Sequence, residues 1–99
     1  MRFHYGIRHE IGHAVEAYLA APDKYAKIVQ IRTEIMRECG IMEWTRTPTL
    51  EQAKAAGNQL SYYALKDDSE MIAESVAEYL NGNPRDRAIS VVNILLGLG

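Results

Sequence analysis

Residues 8–16 read RHEIGHAVE, so two histidines four positions apart enclose a glutamate. On a helix, side chains at positions i and i+4 lie on one face. The imidazoles of His9 and His13 would therefore project side by side, close enough to bind one ion. Glu10 follows His9 directly, and its carboxylate would lie within reach of a water bound to that ion. This H-E-x-x-H spacing is typical of a zinc site with a general base beside it.

A catalytic zinc site needs a third protein ligand and keeps its fourth position open for water. The stretch 69–80 reads SEMIAESVAEYL and places three glutamates four residues apart on one helical stripe: Glu70, Glu74 and Glu78. Like charges at this spacing repel each other by about 0.2–0.5 kcal/mol per pair unless a cation lies nearby. Ala73 and Ala77 lie beside the glutamates and are small enough to allow close approach of another helix. We expect the third ligand to come from this stripe, although the spacing leaves open which glutamate it is.

The hydrophobic periodicity predicts an all-α domain without a β-hairpin. Predicted helices cover residues 3–20, 24–38 and 50–56, then a stretch that starts near 67–69 and ends at 80, and a last helix that begins at Asn83-Pro84. Thr49 and Gln52 have the spacing of a capping box. In the first helix the apolar residues Ile7, Ile11, Ala14, Val15, Tyr18 and Leu19 predict a buried face. Gly12 predicts close backbone packing beside the metal, because glycine otherwise weakens a helix by up to about 1 kcal/mol. His4 lies off the ligand face, and we expect it at the surface or behind a ligand.

Composition limits the class of protein. The chain has 99 residues, of which 47% are hydrophobic and 24% charged, as expected for one globular domain. Its net charge of -2 gives no electrostatic reason to expect binding to nucleic acid or to an anionic membrane. Its apolar runs are too short to span a bilayer, and its first residues lack the apolar core of a signal peptide. The single cysteine, Cys39, excludes an internal disulfide. We therefore expect neither nucleic acid nor membrane as a partner, and the compartment stays open.

Two blocks of the sequence resemble a known family. HEIGHAVEAYL and SYYALKDDSEMIAESVAEYL are similar to the gluzincin metallopeptidases, and among these to the catalytic domain of anthrax lethal factor and its toxin-like and phage-encoded relatives. The resemblance covers residues 8–19 and about 61–80, with a vaguer helical similarity over 24–40. It implies a zincin-like helical domain with Zn²⁺ as cofactor and a peptide or protein as substrate. A toxin of this kind would be secreted.

The resemblance also implies a role for individual residues. His9, His13 and Glu70 match the zinc ligands, with Glu74 as the alternative to Glu70. Glu74 otherwise matches a position that supports a ligand histidine. Glu10 matches the general base. Tyr63 matches the catalytic tyrosine, and its neighbour Tyr62 competes for that role.

The sequence departs from the family at two places. The segment around residues 41–57 looks longer, and the β-sheet that usually precedes the active-site helix has no counterpart in the eight residues before His9. We therefore expect one domain over residues 1–99, either the C-terminal part of a larger parent chain with further domains or a minimal version in which other surfaces bind the substrate. The alternative to a peptidase is a zinc-stabilised binding or structural domain, and Glu10 discriminates between the two because a structural zinc site has no use for a base.

Overall fold

The computed structural model describes the backbone of residues 2–98 and the side chains of residues 7–98. This part of the chain contains five α-helices and no strand: α1 (Arg2–Leu19), α2 (Pro22–Glu38), α3 (Leu50–Gly57), α4 (Asp68–Leu80) and α5 (Asp86–Leu95). A short 3₁₀ turn, Tyr63–Leu65, precedes α4. The all-α prediction is confirmed. The expectation for the His4 side chain lies outside the described residues.

Local sequence signals set the start of three helices. Pro22 occupies the first turn of α2, where its missing N–H would have had no helical partner. Thr49 and Gln52 form the predicted capping box at α3, with both side-chain-to-backbone distances at 3.1 Å. At α4 the Asp67 carboxylate accepts the backbone N–H of Glu70 at 2.9 Å. This last cap fixes the turn of helix that carries Glu70.

Helix α4 is the centre of the domain. It packs against α1, α2, α5 and the 3₁₀ turn, and every residue from 71 to 77 is buried. A helix that is buried on all sides needs apolar or internally paired residues on all sides. The core around it comes from α2, α4, α5 and the connections, with these largest fully buried apolar side chains: Ile28, Ile35, Leu65, Met71, Ile72, Val91 and Leu95.

The predicted buried face of α1 is wrong for most of its residues. Ile7 and Ile11 are 44% and 43% exposed, Tyr18 is 89% exposed, and only Val15 and Leu19 pack partly against the core. Helix α1 instead turns Gly12 and the neighbouring polar stripe toward α4. Apolar periodicity did not identify this face, because the contacts that hold it are polar and because the buried residue at its centre is a glycine.

The last helix starts later than predicted, at Asp86 rather than at Asn83-Pro84. Arg85 keeps an extended backbone with ψ 168°, and its N–H donates to the carboxylate of Glu78 at 2.7 Å. The Arg85 guanidinium also donates to the backbone carbonyls of Gly57 and Leu60. These bonds hold the connection extended and so delay the start of the helix by two to three residues. None of the helices within the described residues is both long and apolar enough to cross a bilayer.

Candidate metal centre

Helices α1 and α4 run antiparallel and approach each other closely at Gly12. An added Cβ at Gly12 would lie 2.6 Å from the Cα atom of Ala73 and 2.8 Å from its carbonyl oxygen. Any side chain here would therefore push the two helices apart. The predicted close packing at Gly12, beside the small Ala73, is confirmed. It brings the histidines of α1 within reach of the glutamates of α4.

Three side chains converge at this contact: His9 and His13 of α1 and Glu70 of α4. The Oε1 atom of Glu70 lies 2.8 Å from Nε2 of His13 and 3.6 Å from Nε2 of His9. One ligand atom from each of the three side chains lies within 4.8 Å of the others. The three residues are only partly exposed, and they could hold one metal ion.

The spacing of these atoms fits a tetrahedral ion. Zinc binds histidine nitrogen and carboxylate oxygen at about 2.0–2.2 Å, so two ligands at a tetrahedral angle lie roughly 3.3 Å apart. The two Nε2–Oε1 distances, 2.8 Å and 3.6 Å, lie on either side of that value. Two imidazoles and one carboxylate are also the donor set of many catalytic zinc sites, in which a fourth position is open. The geometry and the chemistry of the donors are therefore both compatible with zinc.

Glu74 contacts the Nδ1 atom of His9 and does not belong to the three converging side chains. Its Oε2 atom is 2.8 Å from Nδ1 of His9, and its Oε1 atom accepts the hydroxyl of Ser61 at 2.8 Å. Ser61 in turn accepts the backbone N–H of Ala64 at the 3₁₀ turn. A carboxylate that accepts Nδ1–H leaves Nε2 as the lone-pair nitrogen, which is the tautomer a metal requires. The third glutamate of the stripe, Glu78, pairs with Arg85 at 2.7 Å instead.

Glu16 lies beside His13 and reaches it through the hydroxyl of Ser69, and the sequence analysis missed it. The Oε1 atom of Glu16 is 3.6 Å from Nδ1 of His13 and accepts the hydroxyl of Ser69 at 2.6 Å. Ser69 Oγ itself lies 3.3 Å from the same imidazole nitrogen. The signal was present in the sequence, since Glu16 follows His13 by three residues and therefore lies on the same helical face.

A tyrosine of α2 fixes the position of Glu16. The hydroxyl of Tyr25 donates to Oε2 of Glu16 at 2.5 Å. This hydrogen bond is the main cause that raises the pKa of Tyr25 to about 12, and partial burial and the negative charge of Glu16 add to it. The phenol therefore stays protonated and bound to Glu16 over the whole physiological range. The ligand face of α1 is thus supported from α2 as well as from α4.

Tyr63, rather than Tyr62, lies beside the ligand cluster. Its ring centroid is 6.4 Å from that of His9, and its hydroxyl hydrogen bond to the Glu70 carboxylate is the largest cause of its raised pKa. The hydroxyl of Tyr62 points elsewhere and donates to the backbone carbonyl of Thr45 at 2.6 Å. Only Tyr63 is therefore placed to contact a group that binds at the cluster.

Glu10 lies on α1 with an exposed side chain. It follows His9 by one residue, which is about 100° around the helix axis. Within the described part of the chain it makes no ion pair, so its carboxylate stays available to solvent at the edge of the cluster. The structure does not bring it into contact with the three converging side chains.

No protein-family model matches the chain, and neither a curated protein nor a solved structure is significantly similar to it. The function therefore has to be argued from the site itself.

Proposed function

We propose that the chain is a zinc-dependent endopeptidase of the gluzincin type with a zincin-like helical fold. One observation carries the proposal. The Nε2 atoms of His9 and His13 and a carboxylate oxygen of Glu70 converge. The Nδ1 atom of His9 is hydrogen-bonded to the Glu74 carboxylate at 2.8 Å, and Nδ1 of His13 lies 3.3 Å from the Ser69 hydroxyl, which donates to the Glu16 carboxylate. Two solvated surface histidines would need neither of those carboxylates.

Zinc held by His9, His13 and Glu70 would supply a Lewis acid that lowers the pKa of the attacking water to roughly 7. The protein's own part is to place the ligands. Glu74 holds the His9 imidazole in the tautomer that exposes Nε2, and Ser69, bound to Glu16, lies next to Nδ1 of His13. The contact of Gly12 with Ala73 sets the distance between the ligands of α1 and of α4. The Glu70 side of this frame belongs to α4, whose residues 71–77 are all buried.

Two further side chains supply the proton transfer and the charge stabilisation. Glu10 accepts a proton from the water as it attacks the peptide carbonyl and then donates that proton to the leaving amine. The Tyr63 hydroxyl, whose ring lies beside that of His9, donates a hydrogen bond to the oxyanion that forms on the carbonyl carbon. These roles agree with those that the family resemblance implies for the same positions.

The test is hydrolysis of a diverse library of unstructured peptides by the zinc-loaded chain. Glu10→Gln keeps the shape of the side chain and removes the base, so cleavage should fall to background while zinc stays bound. Tyr63→Phe should slow cleavage by about 10²–10³-fold, as expected when an oxyanion donor is lost. Glu51→Gln, at an exposed position of α3, is the matched control and should cleave like the parent.

A zinc-stabilised domain without catalysis is the second candidate, and one observation favours it. Among residues 7–19 of α1, only Gly12 is buried, so apolar packing contributes little to holding this helix. A metal shared between α1 and α4 would bind the helix to the rest of the domain. If the zinc-loaded chain cleaves no peptide of the library, and Glu10→Gln behaves as the parent does in every respect, this second function is correct.

A further inference from the structure

A second group of side chains, which includes Tyr63, forms a pocket next to the ligand cluster. The pocket has a volume of about 370 Å³ and is lined by Trp44, Arg46, Tyr62, Tyr63 and Lys66. We call it the aromatic-basic pocket. Its volume is sufficient for an amino-acid side chain. It shares Tyr63 with the candidate metal centre, so a peptide bound at the metal would place a neighbouring residue at the pocket.

Aromatic side chains form the walls, and their positions are fixed. The rings of Trp44 and Tyr62 are stacked with centroids 5.8 Å apart, and the Trp44 indole N–H donates to the backbone carbonyl of Tyr62 at 3.3 Å. The Tyr62 hydroxyl both donates to the carbonyl of Thr45 and accepts its N–H, at 2.6 and 2.9 Å. The walls therefore need little rearrangement when a ligand binds, which lowers the entropic cost of binding.

The charge of the pocket is positive. The ammonium group of Lys66 lies 5.9 Å from the ring centroid of Trp44 and 5.5 Å from that of Tyr63. Arg46 contributes a second cation, and none of the lining residues is acidic. Within residues 7–98, neither Arg46 nor Lys66 forms an ion pair with an acidic side chain. By contrast, Arg85 and Arg87 are each paired with glutamates.

We propose that the aromatic-basic pocket is a specificity subsite that binds a carboxylate of the peptide substrate next to the bond that is cleaved. Lys66 and Arg46 would form charge-assisted hydrogen bonds to the carboxylate, and the aromatic walls would contact its aliphatic stem. The carboxylate belongs either to a glutamate or aspartate side chain or to the C-terminus of the peptide. This inference rests on the proposed function, because the metal centre defines which bond is cleaved.

Trp44 provides a direct readout, since it is the only tryptophan in the sequence and forms a wall of the pocket. The zinc-loaded chain is titrated with short peptides that lack aromatic residues, are blocked at both ends and differ only by Glu or Gln at one position. Tryptophan fluorescence gives the affinity, and mass spectrometry of the same samples gives cleavage. A second pair of peptides without acidic side chains carries either a free or an amidated C-terminus.

We expect the Glu peptide to bind about tenfold more tightly than the Gln peptide, as for a hydrogen bond to a charged group. The double variant Arg46→Met/Lys66→Met should lose this difference, whereas Lys54→Met, which removes an exposed cation of α3, should keep it. A melting curve for each variant verifies that it folds. If the free C-terminus gives the preference and the internal Glu does not, the subsite binds the terminal carboxylate.

Three results would overturn the subsite. The first is equal affinity for the Glu and Gln peptides together with equal affinity for the free and amidated C-termini. The second is a carboxylate preference that survives in the double variant, and the third is no fluorescence response at millimolar peptide. The two proposals fail separately. Cleavage without a carboxylate preference refutes the subsite and leaves the peptidase. A preference that depends on Arg46 and Lys66, without cleavage of any peptide of the library, supports carboxylate binding at the pocket and refutes the peptidase.

Discussion

A side chain on Gly12 would collide with the backbone of Ala73, because an added Cβ would lie 2.6 Å from the Cα atom of that residue. This contact sets the distance between α1 and α4. His9 and His13 belong to one of these helices and Glu70 to the other, so the geometry of the ligand cluster depends on two residues that bind nothing.

Gly12→Ala should therefore disturb both the fold and the metal site. The overpacking should lower the free energy of unfolding by about 1–3 kcal/mol, although the same substitution in an open helix raises helix stability. Zinc affinity should fall in parallel, since the ligands of α1 move away from Glu70. Chemical denaturation and competition with a chromophoric chelator measure the two effects.

Gly57→Ala is the matched control for Gly12→Ala. An added Cβ at Gly57 has no heavy atom of another residue within 4 Å, so this variant should be as stable as the parent or slightly more stable. An increase in stability for Gly12→Ala of the same size as for Gly57→Ala would show that the helices do not meet as described.

Glu70 and Glu74 should differ in their effect on zinc. Glu70→Ala removes a ligand and leaves two histidines, so tight binding should be lost. Glu74→Ala removes only the partner of His9 Nδ1, and affinity should fall by about 10–100-fold. The opposite order in a chelator competition assay would mean that the assignment is wrong by one helical turn.

Glu16→Gln tests the support of His13. The amide keeps the size of the side chain but removes the negative charge that faces Nδ1 of His13, so zinc affinity should fall by at least about tenfold. Glu51→Gln, exposed on α3, serves as the control at a position without a role in the site. Unchanged zinc affinity in Glu16→Gln would show that Glu16 does not support the metal site and only joins α1 to α2.

The hydrogen bond from Tyr25 to Glu16 should make stability depend on pH in the alkaline range. The pKa of Tyr25 is raised from 10.0 to about 12 in the folded chain, so its stabilisation is fully present below pH 10 and is lost as the pH rises toward 12. The stability difference between the parent and Tyr25→Phe should therefore shrink over this interval. Denaturant titration of the metal-free protein at each pH measures this difference. Tyr18→Phe is the control, because Tyr18 is 89% exposed. A constant difference would refute the effect.

Sequence patterns were informative where local chemistry determines the structure. The capping residues Thr49 and Asp67 set the starts of α3 and α4, and the i,i+4 spacing placed His9 and His13 on one face. Glycine and alanine in the sequence indicate close packing at the helix contact, and the structure confirms it at Gly12.

Sequence patterns failed where contacts between distant segments determine the structure. The apolar stripe that includes Ile11 predicted the wrong face of α1. The face of α1 that packs against α4 is held by polar contacts, and hydrophobic periodicity detects only apolar faces. The late start of α5 follows from bonds between Arg85 and three separate segments. Trp44 and Tyr62 are 18 positions apart and are joined by ring stacking and by a hydrogen bond from the indole N–H to the Tyr62 backbone carbonyl, for which the sequence carries no periodic signal.

The central claim is that His9, His13 and Glu70 bind one zinc ion. The most direct measurement is an anomalous difference map at the zinc absorption edge from crystals of the zinc-loaded chain. We expect a single strong peak about 2.0–2.2 Å from Nε2 of His9, Nε2 of His13 and a carboxylate oxygen of Glu70. A zinc-saturated crystal without a peak among these three side chains, or with the peak bound by Glu74 in place of Glu70, would contradict it.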